Sequence, residues 1–99
     1  MDVEFELSGA LFRWNEEKAE TNFRKHGIRF EHAAEAFFDI EFRLVDATQS
    51  DESRDAIIGC DQSGMLLFVV HIEFEGNLIR LISARRDLAR KETVWRFLT

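Results

Sequence analysis

Apolar and polar positions alternate at the start of the chain. Val3, Phe5 and Leu7 are separated by Glu4 and Glu6, and after Ser8-Gly9 the apolar positions resume at Leu11-Phe12-Arg13-Trp14. A period of two marks a half-buried strand, so a short strand or ribbon is expected here. The period then lengthens. Asn15 has a side-chain oxygen able to take a free amide of a first helical turn, and Glu16 and Glu17 complement the helix dipole. Ala19, Phe23 and part of His26 recur at three- and four-residue spacing, and Gly27 suits the left-handed position just past a helix end. A second helix is predicted over residues 31–38, with Ala33, Ala34, Phe37 and Phe38 on one side and Phe30 stapled against Ala34.

The period returns to two at Ile40, Phe42 and Leu44, which alternate with Glu41, Arg43 and Val45. Residues 49–53 read as a polar turn, 55–60 as a strand, 61–64 as a hairpin turn and 65–74 as a long central strand. A turn at 75–77 leads into a last strand over 78–83. From Asp87 the pattern is helical, with Leu88, Trp95 and Leu98 able to dock on the sheet while Arg90 and Lys91 face water. The fold class expected is α+β: two N-terminal helices, an antiparallel sheet of three to four main strands, and a C-terminal helix.

Length adds that residues 1–99 form a single domain with a small core. Ten phenylalanines and an apolar fraction of 45% suffice to fill it. No run approaches the roughly 18 apolar residues of a membrane span, and the first residues lack the basic and apolar regions of a secretory signal. The single cysteine, Cys60, cannot pair within the chain, which fits a reducing cytoplasm; its environment reads as that of a partly buried thiol.

Charge changes the picture more. The net charge is −6, yet residues 79–99 carry six basic side chains, among them Arg80, Arg85, Arg86, Arg90 and Arg96, against Asp87 and Glu92. A second basic group, Arg24-Lys25-His26, closes the first helix. Clustered cations create a local field that attracts an anion even on an acidic protein, whereas the overall acidity opposes tight non-specific nucleic-acid binding.

His26 is the best acid–base candidate, because a free imidazole titrates near pH 6.5. A half-buried histidine capping the helix end is the competing account. His71, among Val69, Val70 and Ile72, suits core packing, and His32 suits an exposed helix surface. The histidines and Cys60 form no metal-ligand pattern, so no metal is expected. The five glycines are scattered one per turn, without a phosphate-binding loop or nucleophile elbow, so no cofactor is expected. Glu52 and Arg54 stand two residues apart at a strand rim and share a side. Arg80 and Arg85 bracket the last strand. Metal-free RNA cleavage needs a base for the 2′-hydroxyl, cations for the charge growing on phosphate oxygens and an acid for the leaving oxygen. His26, Glu52 and the arginines are groups of those kinds, and ordinary surface ion pairs are the alternative.

With these residues in view, the chain resembles the BrnT family, the toxin component of a bacterial type II toxin–antitoxin pair. The matching elements are Phe12-Arg13-Trp14-Asn15-Glu16-Glu17-Lys18-Ala19, Asn22 with Lys25-His26-Gly27-Ile28, Phe30-Glu31-His32-Ala33, Glu52 and Arg54 with Ile58-Gly59, and Arg80-Leu81-Ile82-Ser83-Ala84-Arg85. The resemblance implies a RelE-like fold, metal-independent RNA cleavage, and neutralisation by a cognate ribbon-helix-helix antitoxin. DNA would then be met only through the antitoxin complex. It assigns proton transfer to His26 or Glu52, phosphate to Arg54, Arg80 and Arg85, and the scissile region to Lys25; Arg86, Arg90 and Trp95 are further expected RNA contacts. The family usually has Asp where this chain has Asn15, and a tyrosine near Trp95, whereas this chain contains no tyrosine. The alternative function is a catalytically weak or inactive homologue that acts as an interaction module for an antitoxin-like partner. A sequence-specific DNA binder is disfavoured, because no helix-turn-helix pair is visible.

Overall fold

A computed structural model describes residues 1–47, 54–74 and 76–87. In chain order the elements are β1 (Asp2–Leu7), β2 (Ala10–Asn15), α1 (Glu16–His26), α2 (Phe30–Glu35), a 3-10 turn (Ala36–Phe38), β3 (Arg43–Asp46), β4 (Asp55–Cys60), β5 (Leu66–Phe74) and β6 (Leu78–Arg86). Where local chemistry dictates an element, it forms as expected. Ser8 and Gly9, both at positive φ, make the two-residue turn that matches strand twist in a β1–β2 hairpin. The Asn15 side chain accepts a hydrogen bond from the Lys18 amide at 3.0 Å, and the Gly27 amide, at φ 72°, donates to the Phe23 carbonyl at 2.8 Å.

The six strands found among the described residues lie in one sheet in the order β1-β2-β6-β5-β4-β3. This corrects the expected three to four antiparallel strands. The sheet is mixed, because β2 pairs in parallel with β6, Leu11 to Leu78 through Arg13 to Arg80. The N-terminal ribbon is thus part of the main sheet, and the two helices form the crossover from it rather than opening the chain. The third strand also begins later than its alternation suggests. Ile40 is 98% exposed, and Phe42 and Leu44 are exposed too, so those apolar side chains answer to no core. The end of the expected second helix tightens into the 3-10 turn. There Asp39 accepts from the Glu41 amide at 3.0 Å and from the Cys60 amide at 2.7 Å, tying the helix end to β4. The expected turn at 49–53 and the C-terminal helix lie outside the described residues.

The helices cover one face of the sheet. Phe12, Trp14, Phe30, Ala33, Ala34, Ile57, Leu67, Val69, Leu81 and Ala84 form the main core, with Trp14 edge-on to Phe30 at 5.6 Å and Phe12 edge-on to Phe37 at 5.3 Å. Strand alternation sends the intervening residues to the other face, where Ile58, Cys60 and Leu66 form a second buried cluster with Val45 and Phe68. Gly59 is where the 3-10 turn meets β4. A Cβ there would stand 2.7 Å from the Ala36 carbonyl oxygen, a backbone atom that cannot swing aside. Gly59→Ala is therefore expected to cost about 1–3 kcal/mol, as overpacking does, read as a lower urea midpoint.

Candidate active site

Arg80 and Arg85 are five residues apart on β6, a spacing that puts side chains on opposite faces of a regular strand. The register resolves this. Arg80 pairs with Ile72 and Arg85 with Phe68, and Ile72 and Phe68 share a face of β5. Between Val70 and His71 the register slips, leaving Ile82 as the extra residue of a bulge. The bulge brings Arg80, Ser83 and Arg85 to one face, the one away from the helices.

Two cross-strand rows then carry four of the cations of that face. One runs Glu4, Arg13, Arg80, Ile72 and the other Arg43, Ile58, Phe68, Arg85. Arg54 stands one residue before β4, and strand alternation continues it to the same face as Ala56. Arg80 grips Asp2 with both terminal nitrogens, at 3.2 Å each, and Arg13 pairs with Glu4. The hydrogen bond from Arg80 holds the Asp2 carboxyl below its ordinary pKa. The exposed Arg85 has its guanidinium over the Phe68 ring at 4.4 Å, a cation–π contact. Arg86, by contrast, pairs with Leu67 and belongs to the helix-side face, apart from the other arginines.

Lys25 and His26 are exposed in the last turn of α1. His26 is neither packed away nor part of the apolar stripe expected for it. With Asn15, Asn22, Ile82 and Ser83 they line a groove of about 510 Å³ between α1 and β6. Ser83 belongs both to this groove and to the arginine face, so the two adjoin at β6. Glu52, Arg90 and Trp95 lie outside the described residues.

The residue that sequence reasoning undervalued is Asn22, buried on α1. Its Oδ1 accepts from the Ala84 amide at 3.0 Å, and its Nδ2 donates to the carbonyls of Ala84 at 2.9 Å and Ile28 at 3.1 Å. Past the end of β2, this one side chain serves the β6 edge as a neighbouring strand would. It thereby fixes α1, with Lys25 and His26, against Ser83. A polar residue between Ala19 and Phe23 on a buried helical face was the available signal.

His71 packs in the core as expected. It is fully buried, its ring edge-on to Phe37 at 4.8 Å and its Nδ1 3.3 Å from the Val69 carbonyl oxygen. Burial pushes its pKa below the ordinary 6.5, so the native fold holds it neutral. The unfolded chain binds a proton there first, so stability that is complete above pH 6.5 is lost as pH falls below it. The urea midpoint is expected to drop below pH 6.5 in the native protein, and the part due to this group to vanish in His71→Phe. His32 is exposed and the Cys60 thiol is buried, both as expected. Among the described residues, no three His, Cys, Asp or Glu side chains are grouped to hold a metal ion, and no helix is long and apolar enough to cross a membrane.

Comparison with known proteins identifies the family. Residues 14–92 match the family model described as the ribonuclease toxin BrnT of a type II toxin–antitoxin system. Among solved structures, the crystal structure of the Brucella abortus ribonuclease toxin BrnT is similar, with a TM-score of 0.58 and 25% identity over 75% of this chain and 91% of that one. No curated protein matches. The matched stretch holds α1 and the whole of β6, and with them Lys25, His26, Arg80 and Arg85; the chain belongs to the BrnT family of ribonuclease toxins of type II toxin–antitoxin systems.

Proposed function

We propose that this ribonuclease toxin cuts single-stranded RNA where the α1 groove meets the arginine face, by internal attack of the ribose 2′-hydroxyl on the adjacent phosphorus. A base takes the hydroxyl proton, the 2′-oxygen bonds to phosphorus, and the 5′-oxygen leaves with a proton from an acid, giving a 2′,3′-cyclic phosphate. His26 or Glu52 moves the proton. Arg54, Arg80 and Arg85 neutralise the charge that grows on the phosphate oxygens, a task suited to the planar guanidinium fork. Lys25 holds the phosphate beside the scissile bond, and Arg90 and Trp95 extend the contact along the strand. Arg86 has less support, since its register assigns it to the other face. The scheme uses no metal and no cofactor.

The observation that carries this reading is the Ile82 bulge, which unites Arg80 and Arg85 on one face on either side of Ser83, itself a wall of the Lys25–His26 groove. The chemistry is tested with an RNA bearing a single 2′-deoxy sugar at the preferred cleavage position. That bond is expected to stay intact while the all-ribose strand yields cyclic-phosphate ends. Cleavage of the deoxy bond, or products ending in a free 3′-hydroxyl, overturns it. Within the toxin–antitoxin pair, the partner in this reading is a ribbon-helix-helix antitoxin, and DNA is met only through that complex.

A further inference from the structure

Strand β1 places three carboxylates on the arginine face. The β1–β2 register turns Val3, Phe5 and Leu7 toward the helices and Asp2, Glu4 and Glu6 the other way. Two of them are engaged, Asp2 with Arg80 through two 3.2 Å hydrogen bonds and Glu4 with Arg13. We propose that β1 acts as a built-in counter-anion, so that RNA phosphates reach Arg80 and Arg13 only by displacing Asp2 and Glu4, and RNA affinity is held below what these arginines would otherwise support. This rests on the reading of the arginine face as the RNA site.

Four observations support it. A carboxylate gripped by both terminal nitrogens of Arg80 uses the same donors that a guanidinium offers to phosphate. The pairs are exchangeable: the side chains of Asp2 and Arg80 are 45% and 29% exposed, and ion pairs open to water are weak. The strand lies ahead of residues 14–92, so the match to the family model does not itself extend to these carboxylates. Asp2, Glu4 and Glu6 also account for half of the net charge of −6, the feature least expected of an RNA-binding chain.

The test is the affinity of the full chain for a single-stranded 2′-O-methyl RNA, which binds without being cut, over a series of salt concentrations. The double variant Asp2→Asn, Glu4→Gln keeps the size of both side chains but removes their charge and replaces one acceptor oxygen of each with an NH2 donor. It is expected to bind about fivefold more tightly, because both arginines are then open to phosphate and the surface ion pairs they give up are individually weak. Its salt dependence should steepen by about 0.7 for each arginine freed. Unchanged or weaker binding in the double variant, while Arg80→Ala weakens the native chain, overturns the role of β1 and leaves the RNA site standing. No effect of Arg80→Ala on binding overturns both.

Discussion

Arg85→Ala is expected to lower RNA cleavage by about 100-fold or more while leaving the protein folded. Removing one well-placed donor to a developing oxyanion typically costs 10²–10³ in rate. Arg85 is exposed and its described contact is with the Phe68 ring, so its loss takes little from the core, and circular dichroism and the thermal midpoint should match the native protein. Arg85→Lys is the informative companion. It keeps the charge but loses the planar fork, so it should recover only part of the rate. If Arg85→Ala cuts at the native rate, the arginine face is not where the phosphate is stabilised.

The largest expected loss of stability comes from Asn22. Asn22→Ala strips partners from the Ala84 amide, the Ala84 carbonyl and the Ile28 carbonyl, in a region where Ala84 is fully buried. Each buried group left unsatisfied costs about 1–3 kcal/mol. Because Asn22 lines the groove, water can reach part of the gap, and a total of about 2–4 kcal/mol is expected. For a chain of this length that lowers the thermal midpoint by at least about 10 °C. Asn22→Asp separates hydrogen bonding from volume. An ionised Asp has no donor and faces two carbonyl oxygens, so its folded-state pKa should be raised. The stability it retains is then greatest in acid and falls as the carboxyl ionises above about pH 4. A thermal midpoint within a degree of native in Asn22→Ala would show that the side chain does not serve as the edge partner of β6.

How far the sequence reveals this molecule depends on how local each feature is. The ends of α1 are legible because Asn15 and Gly27 act on backbone groups within four residues of themselves. The bounds of β4 and β5 are legible from continuous apolar runs flanked by turn residues. The joining of β2 to β6 is not, since it pairs Arg13 with Arg80 across most of the chain, and no periodicity encodes which strands meet. Alternation at Ile40, Phe42 and Leu44 misleads for a different reason: the pattern is present, but those side chains face solvent.

The site divides the same way. Lys25 and His26 stand out as cations at a helix end, and Arg80 and Arg85 as members of a basic run. That the two arginines share a face cannot be read from their spacing, which argues the reverse. It depends on the slip at Ile82, a property of the pairing between β5 and β6. Asn22 shows the complementary failure. On a helical face drawn through Ala19 and Phe23 it looks like an interruption, whereas it supplies the hydrogen bonds that hold that face to the sheet.

One measurement bears most directly on the central claim that the groove and the arginine face form a single metal-free ribonuclease site. It is cleavage of a labelled single-stranded RNA, with EDTA present, by the native protein, His26→Ala and Arg85→Ala, each shown to be folded. The account predicts cleavage by the native protein and its loss in both variants, since one change removes a group from the groove and the other a group from the face. Native-level cleavage by either variant, or cleavage that EDTA abolishes and added magnesium restores, would contradict it.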